Sequence, residues 1–315
     1  MTKEKIMAKT SFEGPVRSKG GYKVYSVASS TGVDADRTVH DLGIKDTRRY
    51  YLEEYFKQRP ILNANLDQAY TVEVARAGNK DFEVLGTSMT SALCTFSTTV
   101  AGITMTTGGS DADQGILVPT LDTAGTKQEQ SAWSGINWGT ENQVHWETSI
   151  RTSSAIDNQK IWAGLKLTSD QLPQTDANQA YFYFATDETV GQVLSTYTPL
   201  YFIYSIAGAD YLTNTGITVE ADTNYHLKIK FDSDRKMSIF VNGRPYGLAT
   251  TATTTFDGTT SVTGTTQATI DNNIQKSTAM TNDIDLIPCV GIEAGDGAAA
   301  ALDVNYMAIS RLLYE

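Results

Sequence analysis

From Tyr70 onward, short runs of alternating apolar and polar residues follow one another, and each is bounded by Gly, Asn, Asp or Pro. The runs include YTVEVARAG, KDFEVLG, SALCTFSTTVAGITMTT, QGILVPTL, NQVHWETSIRTS, KIWAGLKLTS, QAYFYFAT, PLYFIYSIAG and ITVEAD. A two-residue period is that of a half-buried strand, and strands at this spacing without intervening helices predict a sandwich or jelly roll. The clearest pair lies in Tyr225–Gly247. There Leu227, Ile229 and Phe231 alternate with His226, Lys228 and Lys230, and Met237, Ile239 and Val241 alternate with Ser238, Phe240 and Asn242. Asp232-Ser233-Asp234-Arg235 supplies the connecting turn, and Asn242-Gly243 is a hairpin signal because both residues tolerate positive φ. Near the end of the chain Leu302, Val304 and Tyr306 alternate with Asp303 and Asn305, which predicts a last strand with Tyr306 on the same face as Leu302.

The pattern differs upstream. Residues 1–44 show no sustained period, with breaks at Gly14-Pro15 and Gly20-Gly21, and read as an extended arm. Asp46–Arg59, DTRRYYLEEYFKQR, predicts the one short helix, with Asp46 as N-cap, Tyr51, Leu52, Tyr55 and Phe56 on one face, and Pro60 as its end. Residues 249–283, rich in Thr and nearly uncharged, predict a long exposed insertion with an extra strand pair at the domain's edge. The expected organisation is therefore an arm and helix over 1–60 and a β-sandwich over 61–315.

With 315 residues, 40% of them hydrophobic and 19% charged, the chain is long enough for a sizeable core without disulfides. Cys94 and Cys289 lie far apart, each in an apolar stretch, and read as buried free thiols. No run is apolar enough to span a bilayer, and MTKEKIMAKTSFEG lacks the apolar core of a signal peptide, so cytoplasmic synthesis without membrane insertion is expected. Charge is uneven. Residues 1–60 hold 12 Lys and Arg against 8 Asp and Glu, a net of +4, whereas 61–315 hold 13 against 28, a net of −15. A body of that charge argues against nucleic-acid binding, and the mildly basic N-terminal part reads as a docking region for an acidic protein surface.

Candidate chemistry is sparse. A Glu-x-Asp-x-x-Glu strand would place two carboxylates in one cleft for retaining glycoside hydrolysis, but here Glu220-Ala221-Asp222-Thr223-Asn224 is followed by Tyr225. The second acid is missing, and no catalytic residue is assigned. His40, His145 and His226 have no ligand spacing among them, and His145 and Glu147 read as a polar strand face over a buried Trp146. No Gly-x-Ser-x-Gly is present. Asp111 and Asp113 are the candidates for calcium, as is Asp232-Ser233-Asp234, but none has the full loop pattern, and no cofactor is expected. Trp133, Asn137, Trp138 and Asn142, in the Gly-punctuated SAWSGINWGTENQ, are the candidate glycan-binding residues. The alternative for those rings is a subunit interface.

Taken together, NQVHWETSIRTS…KIWAGLKLTS, YFYFAT, YHLKIKFDSDRKMSIFVNG and LDVNYMAISRL resemble in order and spacing the concanavalin A-like, or laminin-G-like, jelly roll over roughly residues 95–315. FEGPVRSKGGY, with Phe12, Gly14, Pro15, Val16 and Gly20, together with DADQGILVPTLDT and WAGLKLT, is similar to virion structural proteins of marine tailed phages, of capsid decoration type. That resemblance implies a non-catalytic protein on the capsid surface, a homo-oligomer partnered by the major capsid protein or other virion proteins. The docking residues it implies are Phe12, Pro15, Val16, Arg17, Tyr22, Tyr51, Tyr55 and Phe56. A glycan-binding adhesin or lectin-like module, facing a cell-surface glycan, is the alternative.

Overall fold

The computed structural model describes residues 24–27, 34–37, 49–63, 79–86, 92–120, 133, 138–167, 176–186, 199–252, 264–270, 274–295 and 297–313. The chain forms two compact units, Met1–Asp46 and Thr47–Glu315. Within the first, β1 (Val24–Val27) and β2 (Asp34–Arg37) pair antiparallel, Val24 opposite Arg37 and Val27 opposite Asp34.

The second unit begins with β3 (Arg49–Glu54), β4 (Pro60–Asn63), β5 (Asn79–Gly86), β6 (Cys94–Phe96), β7 (Ile103–Thr106) and β8 (Gln114–Pro119). It continues with β9 (His145–Thr152), β10 (Gln159–Lys166), β11 (Gln179–Ala185), β12 (Pro199–Ile206), β13 (Ala209–Thr218) and β14 (Asn224–Phe231). The last strands are β15 (Met237–Val241), β16 (Arg244–Tyr246), β17 (Thr265–Thr266), β18 (Ile287–Ala294) and β19 (Ala301–Leu312). They form a nine-stranded sheet, β17-β13-β12-β11-β10-β18-β8-β5-β4, and an eight-stranded sheet, β16-β15-β14-β9-β19-β7-β6, in which β3 also pairs with β19. One apolar core lies between the sheets. Trp146, Ile229, Ile239, Leu302 and Met307 come from the eight-stranded sheet, and Val84, Leu117, Phe182, Phe202 and Val290 from the nine-stranded one.

The predicted hairpin is present in register, with Ile229 opposite Ile239. Its first turn is tied by the Asp232 carboxylate, whose Oδ1 accepts the amides of Asp234 and Lys236, each at 2.9 Å. Asn242 and Gly243 take φ of 51° and 78°, the left-handed conformation for which that pair was read.

The predicted helix is instead strand β3, which pairs with the end of β19, Leu52 opposite Ile309. Tyr50 and Leu52 pack on the core as alternating neighbours, so this segment satisfies the strand period as well as the helical one, and the free edge of β19 decides between them. Pro60 opens β4 rather than closing a helix. The Thr-rich segment departs from an exposed loop in its second half. Met280 is 1% exposed in the main core, and the amides of Ser277 and Met280 bond to the carbonyls of Met237 and Arg235. Cys94 and Cys289 are buried free thiols, and burial pushes their pKa values up to about 11 and 12.

Candidate functional site

Of the residues expected to dock on a partner, Phe12, Pro15, Val16, Arg17 and Tyr22 lie outside the described residues. Tyr51 is half-buried on β3, Tyr55 is 49% exposed, and Phe56 is a core residue in edge contact with Phe82. Phe56 has a φ of 50°, rare for a bulky side chain, and this kink sends Phe56 inward and leaves Tyr55 outside. The glycan candidates are not a sugar platform. Trp133 and Trp138 are each 2% exposed in the core, the Trp138 indole donates to the Trp133 carbonyl at 2.6 Å, and Asn142 bonds to its neighbour Glu141. Asn137 lies outside the described residues. Glycines around the rings point to a loop, yet Phe82 packs on Trp133 and Tyr50 on Trp138.

Asp113 closes a turn by accepting the Ser110 amide at 3.0 Å, and Asp111 is exposed. Among the described residues no group of three or more His, Cys, Asp or Glu is placed to hold a metal. Glu220 is exposed, and its amide donates to the Tyr225 hydroxyl at 2.8 Å, so the residue standing where a second acid would be needed is engaged by the backbone.

The outer faces of the two sheets carry the remaining polar chemistry. On the nine-stranded sheet the outer face is buried. Its centre holds Trp162, Tyr181, Tyr183, Tyr201, Ile203 and Cys289, a second apolar cluster. The Trp162 indole packs directly on Gly291, where a Cβ would sit 2.2 Å from the ring. Polar rows close both ends. Glu293 accepts Lys160 Nζ at 2.5 Å and Gln114 Nε2 at 2.6 Å, and at the other end Gln179 donates to Ser205 at 3.0 Å, whose hydroxyl is bonded to Asp210.

The outer face of the eight-stranded sheet carries a different group. Val304 and Tyr306 occupy consecutive register positions opposite Ile150 and Ser149, so Asn305 is an extra residue, a β-bulge. The bulge shifts the alternation. Val304 and Met307 are buried, while Asn305 and Tyr306 both point outward, which corrects the placing of Tyr306 beside Leu302. Tyr306 reaches over the small Ser149 to the register partner on its far side, and its Oη lies 2.6 Å from His226 Nε2. The same hydroxyl donates to Glu147 Oε1 at 3.3 Å, and Lys228 Nζ pairs with Glu147 Oε2 at 3.0 Å. Burial and the Glu147 carboxylate hold the Tyr306 phenol far above its ordinary pKa, so it remains a proton donor. With Tyr306 donating to Glu147, His226 completes the chain by donating from Nε2 to the phenol oxygen. The alternation exposed His226 and Lys228 to view, and no sequence signal marks the bulge.

Two sandwiched sheets with this order of strands make the chain an all-β protein of the concanavalin A-like jelly-roll class. No protein-family model matches it, and no curated protein matches it in sequence. Among solved structures it is similar to a protein of unknown function from Shewanella oneidensis MR-1, at 7% identity and a TM-score of 0.46, over 88% of this chain and 94% of that one. A family 7 alginate lyase is similar at 15% identity and a TM-score of 0.41, over 71% and 85%. A family 16 glycosyl hydrolase protein from Mycobacterium smegmatis is similar at 8% identity and a TM-score of 0.42, over 81% and 100%. Likeness at this level informs neither activity nor ligand.

Proposed function

We propose that this chain is a non-catalytic virion structural protein of capsid decoration type, which docks through its N-terminal unit and displays the sandwich outward. The observation that carries the reading is the division of the chain into a separate unit, Met1–Asp46, with its own strand pair, and a large sandwich. The two differ in sign of charge: residues 1–46 hold 8 Lys and Arg against 6 Asp and Glu, a net of +2, and residues 47–315 hold 17 against 30, a net of −13. A small cationic unit on an anionic body favours one orientation on an acidic surface, and many weak copies on a symmetric shell add their effects. The resemblance of FEGPVRSKGGY and WAGLKLT to virion structural proteins supports the same role, and the engaged Tyr225 in place of a second acid supports a chain without hydrolytic chemistry.

Mass spectrometry of purified particles tests it. The full chain is expected in particles, and a variant lacking residues 1–46 is expected to fold yet be missing from them. Incorporation of the truncated chain at the full-length level overturns the docking role.

A further inference from the structure

The outer face of the eight-stranded sheet presents three rings in succession. Tyr55 and Tyr306 have ring centroids 5.8 Å apart, and Tyr306 and His226 6.1 Å apart, each pair tilted by 30°. Two backbone irregularities produce the strip: the left-handed Phe56 just after β3, which turns Tyr55 outward, and the bulge at Asn305 in β19, which turns Tyr306 outward. Irregularities of both kinds cost stability and concentrate where a side chain is aimed at something. Asn305 Oδ1 is buried without a hydrogen-bond partner beside the strip, an acceptor still to be satisfied.

The polar groups around the rings define what fits. Tyr55 is 49% exposed, and the His226 side chain is 38% exposed. Asn242 borders His226 through its side-chain oxygen, which accepts the His226 amide at 2.8 Å. Beneath lies Glu147, paired with Lys228, and the Glu53 carboxylate is within electrostatic reach of Tyr306, so the strip offers hydrogen-bonding groups in surroundings that disfavour an anion. A polyanion would also meet the net −13 of residues 47–315. We infer that the strip Tyr55–Tyr306–His226 binds an uncharged polysaccharide, whose pyranose C–H faces lie on the rings while its hydroxyls bond to the His226, Tyr306 and Asn305 polar atoms. Rings with one polar end suit such a ligand, since each sugar is apolar on its face and wet at its rim.

Affinity electrophoresis of the full chain through gels containing laminarin, galactomannan or xylan, with alginate as the acidic control, tests this. Retardation by at least one neutral polymer is expected, little changed by salt, with at least a tenfold weaker apparent affinity in Tyr55→Ala. That variant alters an exposed ring, and an unchanged melting temperature separates lost binding from lost folding. Tyr306→Phe keeps the ring and is expected to bind several-fold more weakly than the parent. Migration unaffected by every neutral polymer overturns the inference. So does equal retardation of Tyr55→Ala and parent, or a preference for alginate that salt abolishes. A further contrary result is protection of Tyr55 by another virion protein in particles that bind no neutral polymer. The electrophoresis outcomes do not depend on whether residues 1–46 dock the chain on a capsid.

Discussion

The two outer faces of the sandwich differ in kind. The one on the nine-stranded sheet is a second core, with Trp162, Tyr181 and Ile203 all under 1% exposed, and the Lys160–Glu293 pair lies toward its end. The one on the eight-stranded sheet is largely polar, Phe240 and Ala308 apart, with His226, Tyr306, Arg151 and Asn305 at least partly open to solvent. The strands explain the contrast. AYFYFA and LYFIYSI are aromatic or aliphatic on both faces, Ser205 apart, as strands buried on both sides must be, whereas HWETSIRT and NYHLKIKF alternate, as strands with one wet side do. A closed face contributes to stability, and an open one is left for contact.

The largest test of that contrast is Trp162→Ala. It should cost about 3–5 kcal/mol in denaturant unfolding, the same as truncating a core aromatic, although Trp162 is on the outer side of its sheet. A loss under about 1 kcal/mol would show that the second core is not one. Next, Lys160→Met strands Glu293, itself 1% exposed, and should cost about 3 kcal/mol. Adding Glu293→Gln to that variant should restore part of the loss, which a purely steric effect would not allow.

On the open face, Tyr306→Phe removes the hydroxyl shared by His226 and Glu147 and should cost only about 1 kcal/mol at neutral pH, measured in the same way. The smallest effect belongs to the Asp232 turn. Burial pulls this carboxyl upward, but hydrogen bonds from Lys276 and the amides of Lys236 and Asp234 outweigh it, so its native pKa lies below the ordinary 3.8. The unfolded chain therefore takes up the proton first. The turn's contribution is complete above that value and fades as the pH falls through the lower native one, so the stability difference between parent and Asp232→Asn should shrink as the pH falls below the ordinary carboxylate range. A difference that grows on acidification would contradict the assignment.

Much of the fold is written locally. Alternation and the Asn242-Gly243 pair locate β14 and β15 and their turns, because those elements are made by neighbours in sequence. Strand β3 was not legible, since YYLEEY fits two periods and the choice is made by β19, more than 250 residues away. The strip Tyr55–Tyr306–His226 was hidden for the same reason. One extra residue at Asn305 moves Tyr306 to the other face, and only the register against β9 reveals it. Trp133 and Trp138 misled in the opposite sense, because glycines around a ring say nothing of a partner such as Phe82 brought from elsewhere.

Side-chain oxidation footprinting of the free chain and of assembled particles tests the account most directly. Trp162 and Tyr181 are expected to stay unlabelled in both states, Tyr55 to be labelled in both, and residues 1–46 to be labelled in the free chain but protected on particles. Equal labelling of residues 1–46 in the two states, or ready oxidation of Trp162 in the folded chain, would contradict it.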